Sequence, residues 1–284
     1  MPPSRSTTTS RDGTRLAVYT YANPGAHVLI CVHGYPDNAS LWSSVAEQLS
    51  EDFHVVTYDV RGAGESDHPS RTSAYSLDRL QEDFEAILNQ VSPNGSVHVL
   101  AHDWGSIQAW QPVTAPELQD RIASFTSISG PSLDHAGYFI RRRNRAAFKQ
   151  LLHSWYIYYF HLPWIPELAW RKGWAQRAFN RLEPQDPNDN RNIGDYVNGI
   201  KLYRANVLRR LIRPAECRTE IPVLAVAPDA DPFVTTPLQT EIERWAPNLT
   251  VKLVRGGHWL PRKNPGLVAE LVREHTRQVA RWET

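Results

Sequence analysis

Short apolar runs alternate with amphipathic segments along most of the chain. Six runs are rich in apolar residues, and the clearest of them, 27–35, is a nearly continuous apolar run, as expected for a strand buried on both faces of a sheet. They occupy residues 27–35, 53–60, 97–102, 121–129, 221–228 and 249–257. Between several of them, apolar residues recur every three or four positions, which is typical of amphipathic helices. This alternation predicts an α/β fold, a mostly parallel sheet with helices on both faces.

Weaker signals complete this pattern of elements. A hairpin is expected around residues 10–21, and helices are expected over 77–91, 237–246 and roughly 264–280. Another helix is expected to begin near Trp104, directly after the strand at 97–102.

Residues 131–216 interrupt the alternation. They are rich in Arg, Trp and Tyr, contain several prolines, and show helical but no clear strand periodicity. We predict a mostly helical cap inserted after the strand at 121–129, so that residues 1–130 and 217–284 form the core domain. The basic stretch "RRRNRAAFK" (141–149) is more typical of a solvated helix face than of a contact with anionic lipid headgroups or an acidic substrate.

Composition limits the possible partners and compartments. With 284 residues and a net charge of +1, the chain suits one large domain with an insert and gives no overall electrostatic reason to expect nucleic acid or an anionic membrane as a partner. Its two cysteines do not suggest a disulfide framework. We see neither a signal peptide nor an apolar run of about 18–20 residues, so a cytoplasmic protein without membrane insertion is expected, with peripheral membrane association as the alternative.

Polar groups gather where the predicted strands end. In an open parallel sheet these loops form the site, and five of them carry candidates. They are "HGYP" (33–36), "RGAGES" (61–66), "HDWGS" (102–106), "PDADP" (228–232) and "GGHW" (256–259). The second is more typical of a structural turn than of a phosphate-binding loop, because it lacks a third glycine and a downstream acid. The convergence of five loops is stronger than any single motif.

Asp103 ends a strand and precedes a helix, where a G-x-S-x-G elbow places its serine. Small neighbours, Ala101 and Gly105, would let the turn close tightly, although Asp103 as a mere helix N-cap is the alternative. A serine that attacked a saturated carbon would form a stable ether. A carboxylate attacking a saturated carbon forms an ester that water can cleave. Asp103 therefore predicts alkylation followed by hydrolysis at its own carboxyl carbon.

His258 is the candidate general base that would serve this nucleophile. Asp231 is the preferred acid to orient it, because a Pro-Phe-Val turn follows that residue. Asp229 is the second candidate, although an Asp in a Pro-flanked turn is usually only part of the turn. Asp134 is a weaker candidate.

Two backbone N–H groups are candidates for an oxyanion hole, those of Tyr35 and Trp104. His33, Gly34 and Pro36 would support the first loop, Pro36 through a cis bond. The alternative for this loop is a plain turn.

These motifs resemble the aspartate-nucleophile branch of the α/β-hydrolase superfamily, the epoxide hydrolases and haloalkane dehalogenases, over essentially the whole chain. The likeness is strongest to actinobacterial epoxide hydrolases in which this domain can be fused to a short-chain dehydrogenase. The chain is then a stand-alone relative or an excised domain. The resemblance implies an apolar epoxide and water as substrates, with no metal or organic cofactor; a homodimer is a further expectation.

Two features of the resemblance favour an epoxide hydrolase. Dehalogenases commonly have Asn after the first His-Gly, where this chain has Tyr35. Epoxide hydrolases have two cap tyrosines that bind and protonate the epoxide oxygen. Tyr156 in "WYIYYFHLPW" matches the first best, with Tyr158 and Tyr159 close by, and Tyr203 in "KLYRAN" matches the second. Packing within the cap is the alternative role for these rings.

Two rival functions stay open at this stage. A dehalogenase would hold halide with the Trp104 N–H and a cap tryptophan, and the Trp-rich segment 155–174 suits it. A catalytically idle binding module would lack one of Asp103, His258 or the acid, and all three are present.

Overall fold

The computed structural model describes residues 2–179, 181 and 190–282, and an eight-stranded sheet runs through them in the order β1-β2-β4-β3-β5-β6-β7-β8. The strands are β1 (Ser4–Thr9), β2 (Arg15–Tyr21), β3 (Val28–Val32), β4 (His54–Tyr58), β5 (Val97–His102), β6 (Ile122–Ile128), β7 (Val223–Pro228) and β8 (Leu249–Val254). The β1–β2 and β2–β4 pairs are antiparallel, and the other neighbours are parallel. The predicted α/β architecture is confirmed.

Helices fall into two groups by their place in the chain. Those that alternate with strands are α1 (Ser43–Leu49), α2 (Leu77–Val91), α3 (Trp104–Thr114), α10 (Thr236–Thr240), α11 (Leu260–Lys263) and α12 (Pro265–Trp282). Those between β6 and β7 are α4 (Leu133–Arg141), α5 (Arg145–His153), α6 (Trp155–His161), α7 (Ile165–Arg171), α8 (Trp174–Phe179) and α9 (Ile193–Ile212). Short 3₁₀ segments cover Ala39–Trp42, Thr72–Tyr75 and Pro116–Arg121.

The second group occupies the predicted cap. Helices α4, α6 and α7 all pack on α9, which is the longest helix of this group. The division into core and cap at residues 131 and 216 stays a prediction. Residues 180 and 182–189 of that segment lie outside the described residues.

Apolar side chains cover both faces of the sheet, which explains the continuous apolar runs. Along β3, Ile30 and Val32 belong to the cluster that includes α2 and α3, whereas Leu29 and Cys31 belong to the cluster that includes α1 and α12. Successive strand residues point to opposite faces, and all four are at most 1% exposed. Each fully buried aliphatic side chain contributes roughly 1.5–3 kcal/mol.

The predicted helix at 237–246 is too long, because α10 ends at Thr240. The backbone carbonyl of Trp245 accepts from the Thr219 N–H at 2.9 Å, and its ring stacks on His135 at 5.5 Å. These contacts take the segment out of a helical path.

The loop at 61–66 has a structural role. The buried Arg61 guanidinium donates to Asp83 at 2.7 Å and to Asp12 at 2.9 Å, while the Gly64 N–H donates to Asp195 in α9 at 2.8 Å. The loop thereby joins the sheet to the long helix.

Within the described ranges, no helix is long and apolar enough to cross a membrane.

Candidate active site

Asp103 sits on a sharp turn between β5 and α3. Its backbone has φ 51° and ψ −125°, an uncommon conformation for a residue other than glycine. The turn also needs close backbone contact, because a Cβ on Gly105 would lie 2.1 Å from the carbonyl oxygen of Val32. The Asp103 side chain makes no capping hydrogen bond to α3. The N-cap alternative therefore finds no support, and the carboxylate is directed elsewhere.

Both oxygens of the Asp103 carboxylate have partners across the strand ends. Oδ1 accepts the Tyr35 backbone N–H at 2.7 Å, and Oδ2 lies 3.4 Å from Nε2 of His258. A Cβ on Gly34 would lie only 2.4 Å from Oδ1, so this approach requires glycine there. Trp104 is the first residue of α3, and a backbone N–H at this position has no hydrogen-bond acceptor within the helix. Tyr35 thus donates to the carboxylate through its backbone N–H, and Trp104 directly follows Asp103 in the chain.

The first loop is held by its histidine. His33 accepts the Val60 N–H through Nε2 at 2.9 Å, and its Nδ1 donates to the Gly34 carbonyl at 2.9 Å. The Tyr35–Pro36 peptide bond is cis. These contacts place the Tyr35 N–H beside the nucleophile candidate.

His258 connects the two carboxylates. Its Nδ1 lies 2.9 Å from Oδ2 of Asp231. The other oxygen of Asp231 accepts the N–H groups of Phe233 at 2.8 Å and Val234 at 3.0 Å. Asp229 is exposed and its side chain accepts a turn N–H instead. Of the two preferred acids, the structure brings Asp231 to the imidazole.

Asp134, the weaker acid candidate, lies elsewhere. It is buried at the start of α4, accepts the Ala215 N–H at 2.8 Å and pairs with Arg210 at 3.1 Å. It contributes to helix packing rather than to the cluster around His258.

Charge strongly perturbs this cluster. Burial by itself lowers the pKa of His258, but the neighbouring carboxylates of Asp231 and Asp103 outweigh it and raise the pKa to about 10. Burial raises the pKa of Asp231, but the His258 charge and the N–H donors outweigh it and lower the pKa below its usual value. The two neighbouring carboxyl groups therefore favour the protonated form of the His258 imidazole.

A cavity of about 480 Å³ opens above this cluster. Asp103 and His258 form part of its wall, and most of the remaining wall is aromatic. The other lining residues are Tyr35, Trp155, Tyr156, Tyr159, Phe160, Ala169, Trp170, Trp174, Ala175, Ala178, Phe179, Tyr203, Phe233 and Trp259. A mostly apolar cavity with a few convergent polar groups is the usual form of a small-molecule site.

The two predicted cap tyrosines meet at this cavity. The rings of Tyr156 and Tyr203 lie edge to face with centroids 5.9 Å apart. Burial, and then the nearby charge of Asp103 among other groups, raises the pKa of both hydroxyls, so both stay protonated. Tyr159 also lines the cavity, whereas the side chain of Tyr158 is 60% exposed.

Two supporting residues were missed in the sequence. His102 is neutral because burial, aided by the charge of His258, lowers its pKa to about 4, and its Nε2 lies 2.8 Å from the His258 carbonyl oxygen. Phe233 packs against the rings of His258 and Tyr156 at 4.9 and 5.2 Å. The only signal in the sequence was their position in the chain: His102 directly precedes the nucleophile candidate, and Phe233 lies two residues after the acid candidate.

Residues 27–265 match the family model of the alpha/beta hydrolase fold. The chain is 35% identical to "Probable oxidoreductase EphD" of Mycobacterium tuberculosis, over 93% of this chain and 48% of that protein. It therefore spans about half the length of that relative. Identity to "Epoxide hydrolase A" of the same organism is 29%, over 93% of this chain and 94% of that one.

A solved structure shows the same fold. A mutant of an epoxide hydrolase from Bacillus megaterium, complexed with a naphthyloxy-propane-diol product, superposes with a TM-score of 0.81. The match covers 96% of this chain and 100% of that one at 20% sequence identity.

Proposed function

Because the chain belongs to the alpha/beta hydrolase fold family, we propose that it is an epoxide hydrolase, which converts an apolar epoxide and water into a vicinal diol. One observation carries the proposal: the Asp103 carboxylate and the Tyr156 and Tyr203 rings line one apolar cavity. The names of its relatives support the same activity. Cytoplasmic location, a homodimer and fusion to a dehydrogenase stay predictions.

In the first step, a carboxylate oxygen of Asp103 attacks one carbon of the epoxide ring. The carbon–oxygen bond breaks, and its electron pair goes to the epoxide oxygen. Tyr156 and Tyr203 donate hydrogen bonds to that oxygen, whose alkoxide form is a stronger base than tyrosinate. The products of this step are an alkyl ester on Asp103 and a hydroxyl group on the neighbouring carbon.

Ester formation then changes the state of His258. The charge of Asp103, one of the two that raise the imidazole pKa, disappears when its carboxylate becomes an ester. The pKa of His258 therefore falls, and the imidazolium releases a proton. It passes through water to the tyrosine that gave its own proton to the opened oxygen, so that tyrosine is restored and the imidazole becomes a general base.

In the second step, neutral His258 removes a proton from water, and the resulting hydroxide attacks the Asp103 ester carbon. The Tyr35 N–H already donates to Oδ1 at 2.7 Å, and with the Trp104 N–H it stabilises the oxyanion. Donors of this kind typically contribute roughly 3–4 kcal/mol each. Collapse of the intermediate breaks the ester bond, the leaving oxygen takes the proton from His258, and the diol is released. The proton left on Asp103 then passes to His258, which restores the starting state, while Asp231 holds the imidazole in orientation.

The dehalogenase alternative has less support. The indole of Trp104 is 1% exposed, packs edge to face on Tyr203 at 4.8 Å, and does not line the cavity. A departing halide needs no proton, so it also gives the two tyrosine hydroxyls no role. An idle binding module is disfavoured because the contacts among Asp103, His258 and Asp231 are all present.

The test is the intact mass of a His258→Gln variant after exposure to an aryl epoxide and, separately, to a haloalkane. We expect an added mass equal to the whole epoxide, because the ester forms but no base activates water. An alkyl adduct from the haloalkane alone would favour a dehalogenase. The double variant Asp103→Asn with His258→Gln is the control and should gain no mass. A folded single variant that gains no mass with either reagent would contradict the proposal.

A further inference from the structure

Large apolar side chains face solvent along α5 and α6. They recur every three or four residues, so they share one side of this helical segment. They are Phe148, Leu152, Trp155, Tyr158 and Leu162, with exposed fractions between 43% and 65%. An amphipathic helix of a globular protein normally turns such a stripe toward the core. Here the stripe faces outward.

The apolar surface continues onto α7 and α8. Trp164 is 67% exposed, Trp174 60%, and Ile165 and Leu168 40% each. Trp164 also has φ 53°, a left-handed conformation that is unfavourable for a bulky residue. We call these four residues, with the five of α5 and α6, the exposed cap face. Trp155 of the first group and Trp174 of the second line the same cavity, so the two groups meet there, and a large exposed apolar surface of this kind marks an interaction site.

Positive charge surrounds the same face. Residues 141–181 contain seven Arg and two Lys but one Glu, a net charge of +8 in a chain whose total is +1. That glutamate, Glu167, already pairs with Arg204 of α9. Within the part of the chain that the structure describes, several exposed basic residues have no ion-pair partner; these are Arg145, Lys149, Arg171, Lys172 and Arg177.

The exposed cap face is continuous with the cavity. Trp155 and Trp174 each expose more than half of their surface, and both also line the cavity that contains Asp103. A partner that covers this face would therefore lie at the cavity mouth.

We propose that the exposed cap face binds the surface of an anionic lipid bilayer. Tryptophan side chains favour the headgroup region, aliphatic side chains the acyl boundary, and Arg and Lys the lipid phosphates. A second copy fits poorly, because a two-fold dimer would bring the positive face against itself. If the proposed function holds, a lipid-dissolved epoxide passes directly from the bilayer into the cavity.

Vesicle flotation tests this surface. We expect the full chain to float with phosphatidylcholine vesicles that contain about 30 mol% phosphatidylglycerol, much less with phosphatidylcholine alone, and less again at high salt. Trp164→Ser with Leu168→Ser, neither of which lines the cavity, should weaken binding at least about tenfold. Arg171→Gln with Lys172→Gln should weaken it about fivefold per charge. The control Leu253→Ser removes a side chain of similar exposure on β8 and should change nothing.

Several results would overturn the surface assignment. These are no binding to either vesicle, equal binding by the Trp164→Ser, Leu168→Ser variant, or a dimer in sedimentation that this variant dissociates. A folded wild-type protein that floats but opens no epoxide would leave the surface standing and remove the proposed function. A protein that hydrolyses a water-soluble epoxide but does not float with vesicles would support the proposed function and overturn the surface assignment. The variant should lose activity on a vesicle-borne epoxide and keep it on the soluble one.

Discussion

The wall of the cavity at the strand ends carries charge, whereas the wall formed by helices α6–α9 carries aromatic rings. At the strand ends, backbone N–H groups hold the oxygens of Asp103 and Asp231 at 2.7–3.0 Å, and His258 lies between the two carboxylates. In the helical wall, Tyr156, Phe160 and Tyr203 contact one another edge to face at 4.9–5.9 Å. Directional hydrogen bonds hold the candidate reacting groups, and ring packing shapes a largely apolar cavity.

The largest expected effect at the charged wall is the loss of turnover when Asp103 is replaced by Asn. An amide still accepts the Tyr35 N–H but is not a nucleophile, so kcat/KM for diol formation should fall about 10⁴-fold or more. Thermal unfolding should show a folded variant. A variant that keeps more than about a tenth of the wild-type rate would mean that attack comes from another group.

Changes to the aromatic wall should act on one step only. Tyr156→Phe and Tyr203→Phe should each slow ester formation about a hundredfold, because one hydrogen bond to the opening oxygen is lost. Ester hydrolysis should stay unchanged, since no tyrosine acts there. Rapid quenching separates the two rates. Tyr158→Phe, at an exposed position, is the matched control and should have the wild-type rates of both ester formation and ester hydrolysis. Equal slowing of both steps in Tyr156→Phe and Tyr203→Phe would refute the assignment of these tyrosines to ester formation.

Four buried histidines should make the stability of the fold depend on pH. Burial is the first cause that lowers the pKa of His98, His102, His135 and His275 to about 4, below the 6.5 of an unfolded chain. Their stabilisation is present above pH 6.5 and is lost as pH falls toward 4. The free energy of unfolding by urea should therefore drop by a few kcal/mol between those values. The free energy of unfolding of His275→Gln should drop less over this pH range than that of the wild type. Parallel plots of stability against pH for the two proteins would contradict the prediction.

The raised pKa of His258 has the opposite sign. Its stabilisation is fully present below pH 6.5 and is lost as pH rises through about 10. Urea unfolding between pH 7 and 9 should show stability declining with pH in the wild type and a flatter profile in His258→Gln. The same slope in both proteins would show that the two carboxylates do not stabilise the imidazolium.

The smallest effect is expected on the solvent side of the helices. Trp164→Ser with Leu168→Ser should change the free energy of unfolding by less than about 1 kcal/mol, because Trp164 is 67% and Leu168 40% exposed. Ile30→Ala in the sheet core should cost about 2–5 kcal/mol. Urea titration of both variants measures the contrast. A cost above about 2 kcal/mol for the surface pair would mean that these residues support folding.

The charged wall was also the more predictable one. Asp103 and His258 stand at strand ends that apolar runs mark clearly, and Asp231 follows its strand within three residues. Parallel strands bring their carboxyl ends to one edge, so local signals sufficed to place these groups together.

The helical wall was less predictable, because helical spacing shows which residues share a face but not what that face meets. Nothing in the sequence indicated that Trp164 and Trp174 would face solvent while Trp170 is buried. The hydrogen bond from His102 to the His258 carbonyl joins residues 156 positions apart. Contacts between distant segments of this kind are properties of the fold rather than of any motif.

The central claim, an ester on Asp103, is tested most directly by one turnover in water labelled with heavy oxygen, with enzyme in excess over epoxide. Water attacks the carboxyl carbon in this account, so the first diol should carry unlabelled oxygen from Asp103. The heavy isotope should appear in the peptide that contains Asp103. A labelled diol from the first turnover, with that peptide unlabelled, would show that water attacks the epoxide directly and would contradict the account.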